Sequence, residues 1–309
     1  MGAEVGGAPR AAHQNEPTTA SVAESRDLRQ IPSMKDKAQS FLGTSESKKY
    51  NTNKLGLRLI ADGTAALSAG ALVAPLITMI DKAIIENASG ARALMPSLRA
   101  SLANLLTRPH HFLTSKPFLL ILSLYGGTYL TANMLDTTQS ALRNQPASTT
   151  STGPSKFLAT STANLSLCLY KDSQFTRMFG TVSARPVPGP TYALFAARDC
   201  LTIFASFNLP PLLAPRVPLS EAAEKYMSRV SVAQFLAPAS VQLLSTPLHL
   251  LGLDLYNRNG GTPFRERLRK VRVDWLSSSF ARMCRIVPAF GVGGVVNNTV
   301  RKNTMSKLE

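Results

Sequence analysis

Five charged side chains lie inside or against long uncharged stretches, and three of them, Asp62, Arg198 and Arg285, could do chemistry. Asp62 stands within Leu59–Ile80, Arg198-Asp199 divides Thr191–Ala197 from Cys200–Pro215, and Arg282 and Arg285 separate Trp275–Ala281 from Ile286–Val300. A cation held away from water is costly unless an anion meets it, so Arg198 and Arg285 are candidate contacts for a solute's negative group. The alternative is that both lie at a membrane boundary and extend their guanidinium groups to water, Asp199 already pairing Arg198. Asp62 could line the same cavity or cap a helix start. His249 reads as a hydrogen-bonded packing residue rather than a proton relay.

No residue pattern points to catalysis. The chain has no G-x-S-x-G, P-loop, G-x-G-x-x-G after a strand, or H-E-x-x-H, so an enzyme is not expected. Cys168, Cys200 and Cys284 are too far apart for a disulfide framework or zinc spacing and read as buried thiols. His110-His111 has no further ligand near it. Neither a metal nor a cofactor is expected.

The elements that must position these residues follow from the apolar runs. With 44% hydrophobic and 17% charged residues, the chain is poor in charge for a soluble protein, although Lys and Arg number 34 against 18 Asp and Glu. Six apolar segments stand out: Leu59–Ile80, Pro117–Leu135, Phe157–Tyr170, Cys200–Pro215, Val230–Leu253 and Ile286–Val300. The first, second and fifth are long enough to cross a bilayer outright, and the other three are short or interrupted. Such unevenness suits helices packed around a wet interior.

Cations concentrate in the loops after the first, third and fifth segments, which places these loops on one face and both termini on the other. Because those cations lack interleaved aromatics, nucleic acid is not an expected partner. Within these loops, Ala93–Leu106 and Phe264–Val273 have the period of amphipathic surface helices. The pattern is span, surface helix, span, three times over: an all-α membrane protein of six transmembrane helices in three two-helix repeats, at about 55–142, 155–215 and 219–302. Pro75, Pro247 and Pro288 are expected to kink spans. Residues 1–54 form a polar tail too poor in apolar residues to fold, with one amphipathic turn conceivable at Asp27–Leu42, and 303–309 form a short second tail. The tail resembles neither a secretory signal nor an Arg-rich presequence.

Three such units in about 250 residues resemble the mitochondrial carrier family. The local matches are Phe280-Ala-Arg-Met-Cys-Arg-Ile-Val-Pro288 as an R-x-x-P opening of the sixth helix, and Phe195-Ala-Ala-Arg198-Asp199 with Thr202, Phe204 and Phe207 as the fourth. Gly63–Pro75 and Gln234–Pro247 look like the first and fifth. The resemblance implies a mitochondrial location, the inner membrane ahead of the outer, and alternating access around a central cavity. It implies also that the odd helices end in P-x-[DE]-x-x-[KR], which this chain lacks: Ile77 and Ile80 follow Pro75, and His249 and Gly252 follow Pro247. Charges appear a turn or two later as Asp81 with Lys82, Lys171 with Asp172, and Asp254 with Arg258. These are candidate gate residues, expected near the loops in water, where a pair is worth about 0–1 kcal/mol.

The expected function is transport of a small anionic metabolite. The alternative is a degenerate carrier that no longer transports and serves as a membrane scaffold or adaptor, its tail recruiting a protein partner. The expected partners are thus the lipid bilayer, a small anionic solute and, through the tail, a protein.

Overall fold

The structure, a computed structural model, describes residues 50–150, 153–183, 185–218, 220, 224, 228–258 and 261–308. The expected tail and its turn at Asp27–Leu42 fall almost wholly outside these residues. Among them every regular element is helical: α1 (Leu55–Ser89), α2 (Leu94–Thr107), α3 (Pro109–Leu113), α4 (Lys116–Arg143), α5 (Pro154–Phe179), α6 (Gly189–Leu213), α7 (Arg229–Asn257), α8 (Phe264–Cys284) and α9 (Gly293–Met305). A 3-10 turn at Ala214–Arg216 follows α6, and a π-helical turn at Val287–Val292 links α8 to α9.

The helices outrun the uncharged stretches. α1 continues past Asp81-Lys82 because it is stopped by Gly90 at φ 82°, a left-handed cap that glycine adopts without a Cβ clash, not by a charge. α5 likewise carries Lys171-Asp172 on to Phe179, and α7 carries Asp254 on to Asn257. The starts are set by caps: Ser115 accepts from the Phe118 N–H with Pro117 in the first turn of α4, and Ser228 accepts from the Ser231 N–H at the head of α7.

Among the described residues four helical stretches are long and apolar enough to cross a membrane: α1, α4, α7 and the continuous stretch Phe264–Met305. At 26 and 25 residues, α5 and α6 reach about 39 and 38 Å, but neither meets that standard of apolarity. α5 carries Lys156, Lys171, Asp172 and Arg177 among many Ser and Thr residues. The chain is therefore a multi-pass membrane protein, all-helical among its described residues, with four such stretches there beside the six spans expected of three repeats. α2 lies where a surface helix is expected. The 180–188 connection has no helix among its described residues, and Phe264–Val273 forms the first turns of α8 instead of standing apart.

Packing follows chain order: α1 on α4, α4 on α5, α5 on α6, α6 on α7, α7 on α8, and α9 back on α1. The long helices thus close a ring. Small residues set the α1–α4 seam, where a Cβ added to Gly70 would stand 3.0 Å from the Gly126 N of α4. Leu67, Leu72 and Leu76 of α1, Leu244 of α7, and Leu276 and Phe280 of α8 are exposed, while charged groups are buried inside. An outer apolar face around a polar interior is the distribution that lipid selects.

Candidate functional site: a charged cavity inside the helix ring

A cavity of about 330 Å³ lies among α4–α9. That volume is near the lower limit of small-molecule sites, roughly 300–1,000 Å³. One end is lined by Tyr125, Cys168, Asp199, Gln242, Arg282 and Arg285, the other by Asn133, Lys156, Asn297 and Asn298. Tyr125 and Asn133 are eight residues apart on α4, so the two ends stand about 12 Å apart along the helix axis.

Below the first end runs a chain of alternating charges. Arg285 pairs with Asp81 of α1, and Asp81 with Lys171 of α5 at 2.8 Å. Lys171 pairs with Asp172 at 2.5 Å, Asp172 with Arg198 of α6 at 2.5 Å, and Arg198 with Asp199 at 2.6 Å. Arg198 also donates from Nη1 to His249 Nδ1 of α7 at 2.8 Å. Arginine has no acceptor, so Nδ1 is the acceptor and the imidazole proton sits on Nε2. Below this chain a plug of Phe175, Phe195, Leu250 and Leu253 fills the ring. That end is sealed by ions and then by hydrocarbon. At the far end Lys156 keeps 28% side-chain exposure while pairing with Asp136 at 2.5 Å, so the cavity opens on that side.

Two groups at the sealed end are incompletely matched. Arg282 is 3% exposed, and its Nε donates to Gln242 Oε1 at 2.9 Å, but no carboxylate stands within ion-pair distance among the described residues. Asp199 spends Oδ1 on both bonds from Arg198, while buried Oδ2 has no hydrogen-bond partner among them. A buried cation and a buried carboxylate oxygen with open valence, on the wall of one cavity, are costly unless a ligand completes them. Together they match the two charges of a zwitterion.

The sequence-derived candidates fall into three groups. Arg285 lines the cavity and is held from behind by Asp81. Arg198 does not line it: its guanidinium is consumed by Asp172, Asp199 and His249, which makes it a strut of the sealed end. Asp62 is also absent from the wall, being fully buried against Arg301 of α9 at 2.8 Å and the Thr137 hydroxyl at 2.5 Å. It neither faces the cavity nor caps a helix start, because it lies two turns inside α1.

Two of the three expected gate pairs are present, Lys171 with Asp172 and Asp254 with Arg258, while the third pair and the medium differ from expectation. Asp81 meets Lys171 and Arg285 rather than Lys82, which instead pairs with Glu86 on its own helix at 3.7 Å. Asp254 keeps Arg258 at 3.1 Å and adds buried Arg267 at 2.7 Å. Asp81, Lys171, Asp172 and Asp254 are buried, not in water, since the helices carry them past the ends of the apolar runs. Pro75 and Pro247 lie inside α1 and α7 and Pro288 inside the π-helical turn, each removing one backbone donor from the helical ladder.

Arg282, Gln242, Asn133 and Asn297 escape sequence reasoning. Arg282 carries the same signal as Arg285, a cation breaking an apolar run three residues earlier. The amides carry none, because uncharged polar residues recur along every span.

Comparison with known proteins settles the kinship. No curated protein matches the chain. A family model described as "Probable citrulline exporter" matches residues 65–305. This overturns the resemblance to the mitochondrial carriers. The features behind that resemblance (R-x-x-P, Arg-Asp before aromatics, small residues before a proline) suit any helix that packs tightly beside a polar membrane cavity. The mitochondrial location rested on the same resemblance and falls with it. With more than three quarters of its length covered by that model, the chain belongs to the probable citrulline exporter family.

Proposed function

We propose that the chain transports a small zwitterionic α-amino acid with an uncharged polar side chain, citrulline being the compound its family is described by. The observation that carries this reading is the pairing of Arg282, buried without an anion, with Asp199, whose Oδ2 is unpartnered, on one cavity wall. The α-carboxylate meets Arg282 and the α-ammonium meets Asp199. A purely anionic solute would satisfy the first and leave the second uncompensated. The negative group expected from sequence is thus kept, as half of a zwitterion.

Alternating access follows from the same contacts. Arg285 faces the cavity and is also the outer link of the ion chain. A carboxylate arriving beside it competes with Asp81, so occupancy weakens the seal that an empty cavity keeps shut. A ligand shifts such an equilibrium only through differential contacts, and this competition supplies one. The scaffold alternative gives a buried unpaired arginine no purpose.

Thermal unfolding of the purified protein in detergent tests the assignment. Citrulline is expected to raise the midpoint, a dicarboxylate of similar length to leave it unchanged, and Arg282→Gln to abolish the citrulline effect. A shift with the dicarboxylate alone would restore the anion reading, and no shift with either would favour the scaffold.

A further inference from the structure

The far end of the cavity holds two buried amides that face each other. Asn133 Nδ2 donates to Asn297 Oδ1 at 2.8 Å, and Asn297 Nδ2 donates to Asn133 Oδ1 at 3.0 Å. Asn133 spends its second N–H on the Asp62 carbonyl at 3.2 Å. Each amide has two donors and two acceptor lone pairs. What remains for the cavity is one acceptor site on each oxygen and one N–H of Asn297.

We infer that this amide pair is a subsite for a terminal carbamoyl or ureido group, and so sets which side chains the transporter accepts. The inference rests on the zwitterion reading of the other end. A terminal CONH2 offers two N–H donors and one carbonyl acceptor, the complement of two acceptors and one donor. A guanidinium only donates and leaves the Asn297 N–H unmatched. A carboxylate only accepts and faces two oxygens. An alkyl tip leaves all three positions empty, and an unmet buried polar group is costly.

Length agrees. From Cα to the terminal nitrogen of citrulline are six bonds, an extended reach of about 7.5 Å given bond lengths of roughly 1.3–1.5 Å. Adding the Cα–N bond to the ammonium and a hydrogen bond of about 2.9 Å at each end gives roughly 14–15 Å for the fully extended molecule. The two lining groups on α4 are about 12 Å apart, so one extended molecule spans them.

Competition against labelled citrulline in proteoliposomes tests the subsite without any mutation. Arginine and norleucine are expected to compete at least tenfold more weakly than citrulline in the wild type. Asn297→Leu is expected to weaken citrulline roughly tenfold or more and to bring norleucine level with it, while Arg282→Gln weakens all three. Norleucine or arginine competing as well as citrulline in the wild type would overturn the subsite alone. So would an Asn297→Leu protein that keeps the wild-type preference. A wild type that moves no α-amino acid would overturn the subsite together with the reading of the charged end.

Discussion

On the proposed reading Arg282 and Asp199 meet the two opposite charges of one ligand, and substitutions can separate them. Arg282→Gln removes the cation and is expected to cut citrulline transport roughly a hundredfold, as loss of a charge-assisted buried contact would. Arg282→Lys restores charge without the planar fork and is expected to recover only part of the rate. Asp199→Asn is expected to raise the half-saturation concentration for citrulline tenfold or more. It should leave binding of 5-ureidopentanoate, which lacks the ammonium, nearly unchanged, as measured by competition in proteoliposomes. Equal losses for both compounds would reduce Asp199 to a prop for Arg198. At this scale the sequence was partly legible. Arg285 stood out because a charge in an apolar run needs a reason, and Arg198-Asp199 for the same cause. Which atom of Asp199 is free, and that Arg198 is spent behind the wall, depends on side chains from three helices meeting, which spacing along one chain does not encode.

The elements show where the charge pattern misleads. Asp81, Lys171 and Asp254 look like the ends of spans, yet each lies inside a helix whose neighbours bring a counter-charge. Hydropathy reports the company a residue keeps along the chain, whereas burial here is decided across it. Two glycines on these helices give a contrast to measure. A Cβ on Gly252 of α7 would come within 2.7 Å of the Phe195 ring of α6, whereas Gly63 of α1 has nothing within 4 Å. Gly252→Ala is expected to destabilise by about 1–3 kcal/mol through overpacking, and Gly63→Ala to be neutral or slightly stabilising because alanine favours helix. Thermal unfolding in matched detergent distinguishes them, and an equal loss at both sites would contradict the packing described.

At the largest scale, the described helices form a ring sealed at one end by ion pairs over an aromatic and aliphatic plug, and open at the Lys156 end. The chain's all-helical, membrane-embedded character was legible because long apolar runs admit few other folds. Its kinship was not, since the local motifs follow from cavity-lining helices in general. The one-sided opening makes a prediction at this scale. Ser161→Cys, placed on the cavity wall in a background without Cys168, Cys200 and Cys284, is expected to react with an impermeant thiol reagent from one side of the membrane only. Citrulline is expected to slow that reaction, and equal labelling from both sides would contradict the seal.

The central claim, that a buried unpaired arginine in this ring marks a carrier of zwitterionic amino acids, is tested most directly by efflux. Liposomes containing the purified protein and loaded with labelled citrulline are expected to release it saturably, and those containing Arg282→Gln to release it roughly a hundredfold more slowly. Wild-type vesicles that retain their citrulline, or Arg282→Gln vesicles that empty at the wild-type rate, would contradict the account.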